Sequence, residues 1–127
     1  MDVTFIELFG EKHAVTIPDF AATEELMIAF AGAQRRGGVA LQRVYAAAVG
    51  LCTRVGKHAG ADYAAERFDV LAYGGKVYTW LRREKGVGIA DLGKAFTVLL
   101  PLLGAAAFPR DEEVKTALGN SGGSAEA

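Results

Sequence analysis

The residues whose types and spacing come nearest to a chemical site lie in Gly88-Ile-Ala-Asp-Leu-Gly93-Lys94-Ala95, whose first seven positions fit a phosphate-cradling loop. In such a loop the glycines free backbone amides to face phosphate, and the lysine neutralises its charge. Here Ala95 stands where a Ser or Thr should hold magnesium, no β-prone run precedes Gly88, and no later apolar strand ends in a metal-binding Asp. The run therefore reads as a helix start with two small residues. Cys52 is the one thiol, so it forms no internal disulfide. Its apolar neighbours make it a small buried hydrophobe of a reducing compartment rather than a nucleophile. His13 and His58 are far apart, and no two metal ligands have helical or knuckle spacing. The acidic residues gather mainly at expected helix starts rather than in pairs suited to acid–base work. The reading is a non-enzyme with no catalytic residues, no cofactor and no metal.

Two further stretches resemble functional motifs and lose the likeness on inspection. Gly119-Asn-Ser-Gly-Gly123 is similar to the loop that carries a serine-protease nucleophile, but no core follows it to build an oxyanion hole. Residues 81–96 resemble the opening helix pair of repressor-type helix-turn-helix domains. Where the recognition helix should follow, the chain has Thr97-Val-Leu-Leu-Pro-Leu-Leu103, which can neither read base edges nor meet phosphates. A net charge of −1 gives no strong field toward nucleic acid or an anionic membrane surface. The N-terminus lacks a secretory pattern, and the most apolar run, 95–108, is short for a span and contains Gly104 and Pro101. A cytoplasmic protein without nucleic-acid or membrane partners is expected.

The elements that would position any site follow from periodicity. Residues 3–9 and 13–17 are β-prone runs separated by Gly10-Glu11-Lys12, which predicts a hairpin with a three-residue loop. An isolated hairpin is marginal, so either the Val3, Phe5 and Phe9 face or the Ile6 and Leu8 face must lie against helices or a partner. Thr23, with Glu24 and Glu25 behind it, is the expected N-cap of a first helix that Arg35-Arg36-Gly37-Gly38 closes. A second helix spans 39–53, with Ala46, Ala47, Ala48 and Gly50 permitting close approach by a neighbour. Residues 54–67 lose periodicity and read as a long connection, with a turn near Tyr63.

The helix over 69–81 is the expected centre of the fold, because it is apolar over most of its circumference. Leu71, Gly74, Tyr78 and Leu81 form one stripe, Val70, Tyr73, Val77 and Trp80 a second, and Ala72, Lys76, Thr79 and Arg83 a polar edge. Asp69 is its N-cap, with Phe68 stapling onto Tyr73, and Gly86 is its left-handed stop. One face is expected on Leu92, Phe96 and Leu99 and the other on Val44, Tyr45 and Ala48. Close packing is the expected reason for Gly74 and Gly75. A helix over 89–103 should kink or end at Pro101. A last helix over 109–118 presents Val114 and Leu118 inward, and 119–127 form a disordered Gly/Ser tail. The fold class is thus mainly α with a small N-terminal hairpin at 3–17: one compact bundle of about five helices over 1–118.

Three segments carry a family resemblance: the hairpin ending Val15-Thr-Ile-Pro-Asp-Phe20, the helix Val44-Tyr-Ala-Ala-Ala-Val-Gly-Leu-Cys52, and Asp69-Val-Leu-Ala-Tyr-Gly-Gly-Lys-Val-Tyr78 with its Arg-Arg-Glu-Lys-Gly-Val continuation. Together they resemble the tail assembly chaperones of tailed bacteriophages, small proteins encoded before the tape-measure gene. The resemblance implies a protein of the bacterial host cytoplasm that coats the helical tape-measure protein and keeps it soluble during tail morphogenesis. It also implies no fixed catalytic residues, and a frameshift-extended form beginning near the Asn120-Ser-Gly-Gly-Ser-Ala-Glu end. Apolar helix surface beyond the needs of one small core fits a homo-oligomer or a groove for a partner helix, with Tyr73, Tyr78, Trp80 and Phe96 as candidate partner-binding residues. A head–tail connector or tail-completion subunit of the virion is the alternative, and a helix-turn-helix DNA-binding regulator the third.

Overall fold

A computed structural model describes residues 3–55 and 69–107, over which the chain forms one antiparallel hairpin and four helices. Strands β1 (Phe5–Leu8) and β2 (Glu11–Ala14) pair with Leu8 opposite Glu11 and Phe5 opposite Ala14. The loop is therefore two residues, not three. Phe9 and Gly10 both take positive φ, 37° and 76°, the combination whose twist matches that of the flanking strands. Glu11 and Lys12 read as loop because charged residues favour strands weakly, yet pairing draws both into β2. Ile6 and Leu8 are the buried face, while Val3 and Phe5 stay exposed. Beyond β2, the Thr16 amide donates to the Cys52 carbonyl at 2.8 Å, tying the hairpin's exit to the end of the second helix.

Helix α1 (Phe20–Arg36) starts a turn earlier than expected, because Asp19 is the cap and its Oδ1 accepts from the Ala22 amide at 2.8 Å. Thr23 instead lies within the first turn, fully buried, with its hydroxyl donating to the Asp19 and Pro18 carbonyls. Gly37, at φ 66°, separates α1 from α2 (Gly38–Thr53), and Arg54 closes α2 in the left-handed region. Asp69 caps α3 (Val70–Arg83) through the Ala72 amide at 3.0 Å. Past its end, Gly86 is left-handed and the Val87 amide returns to the Leu81 carbonyl, as the sequence implied.

Helix α4 (Ile89–Ala107) runs through Pro101 rather than stopping there. Pro101 is on the exposed side, where the carbonyl it displaces can meet water. On the inner side Leu99, Leu103 and Ala107 stay buried in register and hold the last turns in place. The described residues hold four helices, not five. The helix expected over 109–118, the tail over 119–127, the Phe68 staple and the Tyr63 turn lie outside them.

The centre of the bundle is α2, not α3. Residues 46–52 are buried without interruption, as only a helix covered on every side can be. Helices α1, α3 and α4 all pack on it, whereas α3 and α4 scarcely meet. The face with Leu92, Phe96 and Leu99 is therefore not the main seat of α3, which packs chiefly on α2. Phe96 stacks on Tyr45 at 4.4 Å and tilts against Phe30 at 5.0 Å, so α4 fills the space between α1 and α2. The expected α2–α3 contact exists, displaced toward Arg43, Ala47 and Gly50. A Cβ on Gly74 would run into the Arg43 carbonyl and lie 3.2 Å from the Ala47 methyl, and one on Gly50 would lie 3.1 Å from Val77.

Candidate functional site

Because α3 spends one side on α2, its other side is left to solvent, and there the chain is hollowed. Ala72, Lys76, Thr79 and Arg83, the expected polar edge, are all exposed. They line an open groove of about 700 Å³ with Leu71, Gly75, Trp80 and Glu84, and Arg43 reaches in from α2. The missing side chain of Gly75 lowers the floor: the Arg43 Nε lies 3.5 Å from where its Cβ would stand. Adjacent to it, Tyr78, Thr79, Arg82 and Arg83 border a shallower hollow of about 410 Å³.

Of the four candidate partner-binding residues, the structure puts two in the core. Tyr73 is 2% exposed and points at Gly50, and Phe96 is 4% exposed within the ring cluster with Tyr45 and Phe30. Both are committed to holding α3 and α4 on α2, so neither is presented to a partner. Tyr78 and Trp80 remain half-buried at the surface. The Arg82 Nη1 donates to the Tyr78 hydroxyl at 3.2 Å, and its guanidinium lies 5.4 Å from the ring centroid. Trp80 meets the edge of Phe9 at 6.2 Å, and the Lys85 ammonium lies over both rings, at 5.6 Å and 5.1 Å. The hairpin turn thus braces the indole from one side, and Phe9 also packs on His13.

The cations that accompany these aromatics are absent from the expected site. Arg43 comes from another helix and could not be placed beside Gly75 without the fold. Lys76 and Arg83 fall on the expected polar edge of α3, yet their four- and three-residue spacing from Ala72, Thr79 and Trp80 marks them as one face with the groove. Among the described residues no ion pair engages Arg43, Lys76 or Arg83.

The other candidates for chemistry are placed plainly. Gly88 accepts the Leu92 amide, and the following residues are the ordinary first turns of α4, with Lys94 exposed. Cys52 is fully buried, and desolvation pushes its thiol up to about 12, so it is no thiolate at neutral pH. Among the described residues no group of three or more His, Cys, Asp or Glu could hold a metal ion. His13 Nε2 lies 3.8 Å from the Glu11 carboxylate. By length and composition α4 is apolar enough to cross a membrane; here its Leu92, Phe96, Leu99 and Leu103 side packs into the core. No protein-family description, curated protein or solved structure matches the chain.

Proposed function

We propose that this protein is a non-enzymatic, helix-binding assembly chaperone, and, on its sequence resemblance, a tail assembly chaperone that keeps a tape-measure protein soluble in the host cytoplasm. The observation that carries the reading is the open groove along α3, with an apolar end at Leu71, a half-buried aromatic end at Trp80 and a floor lowered by Gly75. Such a trough accepts an amphipathic helix by laying side chains at i, i+3, i+4 and i+7 into it. The test is co-expression with the tape-measure protein of the same genome. The chaperone should co-purify with it and be missing from finished particles. Stoichiometric presence in purified virions would overturn the reading.

One observation favours a second reading, a head–tail connector or tail-completion subunit. Val3 and Phe5 are 60% and 51% exposed on the outer side of the hairpin, where a neighbouring copy in a ring could cover them. Self-association through the hairpin is compatible with either role, so presence in the virion separates the two.

A further inference from the structure

We infer that the α3 groove is built for a helix whose flanks are acidic, so that its partner is selected by charge as well as by apolar fit. The inference rests on the helix-binding reading above and specifies its partner. Leu71 to Arg83 covers thirteen residues of α3, a rise of about 18 Å, the length of roughly three turns of an incoming helix. The trough offers apolar contact at Leu71 and Trp80 and close approach over Gly75. Among the described residues Arg43, Lys76 and Arg83 are exposed around it, against one lining carboxylate, that of Glu84. In a chain of net charge −1 this is a local excess of positive charge. An apolar ridge alone would accept any amphipathic helix. Three cations around the ridge favour one flanked by Asp and Glu and repel one flanked by Lys and Arg. The trough's apolar contacts at Leu71 and Trp80 suit a side-chain ridge better than a run of phosphates, which would offer them no apolar surface.

Trp80 is the sole tryptophan, so intrinsic fluorescence reports on the groove directly. The full chain is titrated with two synthetic helical peptides of about 18 residues that share one leucine stripe. One is flanked by Glu and the other by Lys. The Glu peptide should give a saturable change in Trp80 emission that weakens with salt, and the Lys peptide none. In a Lys76→Glu, Arg83→Glu variant the Kd for the Glu peptide should rise about tenfold or more, while the Lys peptide gains binding. Both positions are exposed, and an unchanged circular dichroism melt confirms that the variant folds. Equal binding of the two peptides, or indifference to the charge reversal, would overturn the inference. So would a matching Trp80 response to a duplex oligonucleotide. The chaperone reading fails separately: if the tape-measure protein co-purifies equally with wild type and the charge-reversed variant, the chaperone stands and charge selection falls. If the Glu peptide binds but the tape-measure protein does not, charge selection stands and the chaperone falls.

Discussion

Adjacent glycines in α3 should respond in opposite directions to the same substitution. In an exposed helix interior Gly→Ala is worth about 1 kcal/mol of stabilisation through helix propensity. Gly75→Ala should show that gain, because its added methyl would sit 3.5 Å or more from the Arg43 side chain, at ordinary contact distance. Gly74→Ala places the methyl into the Arg43 backbone carbonyl and close to the Ala47 methyl. A backbone atom in the middle of α2 cannot swing aside, so α3 must lift from α2 and thin the contacts of Tyr73 and Val77. Forced overpacking costs about 1 to 3 kcal/mol, and the rigidity of the obstacle puts this case at the upper end. Offsetting the propensity gain leaves a net loss of about 2 kcal/mol. For a chain of this size about 1 kcal/mol moves the midpoint by roughly 4 °C. Thermal melts followed by circular dichroism should therefore show Gly74→Ala about 8 °C below wild type and Gly75→Ala up to about 4 °C above it. A Gly74→Ala protein as stable as Gly75→Ala would refute the close approach of α3 to α2.

The fold carries four further outcomes. Leu81 is fully buried, and Leu81→Ala should cost about 2 to 5 kcal/mol in chemical denaturation. Asp19→Ala should cost about 1 kcal/mol by leaving the first amides of α1 uncapped, read from the same denaturation midpoint. Burial raises the Cys52 thiol to about 12, so above the ordinary thiol range the unfolded chain loses the proton first. Cys52 should thus make stability fall as pH rises through that interval, and Cys52→Ala should flatten that part of the decline relative to wild type. The native thiol should also resist a disulfide reagent at neutral pH and react only on unfolding.

The helices were legible because their signals are local. Asp69 and Gly86 announce the ends of α3, and Gly37 marks the break between α1 and α2, whatever surrounds them. What periodicity cannot supply is which helix is central. Tyr, Trp and Val make α3 look apolar around its circumference, whereas the alanines of α2 carry little weight in such a count. Small side chains are what allow three neighbours to approach α2, so low bulk was the sign of the centre. The cap at Asp19 was missed because Thr23 also carries a capping oxygen, and only the fold shows that oxygen turned back onto carbonyls. At the candidate site the sequence offers Tyr73, Tyr78, Trp80 and Phe96 alike, and only the fold leaves Tyr78 and Trp80 half-buried while it buries the other two. The groove was not legible, because it depends on Arg43 lying across Gly75 from another helix. In sequence Gly74 and Gly75 are indistinguishable; in the fold one makes the packing and the other makes the trough.

The central claim, that this protein holds an otherwise insoluble helical partner in the α3 groove, is tested most directly by titrating a helical tape-measure fragment with the full chain while following fragment turbidity and Trp80 emission. The fragment should stay clear up to a saturating ratio, with Trp80 emission changing over the same range. A fragment that precipitates at the same rate with and without the protein, or stays soluble while Trp80 emission is unmoved, would contradict it.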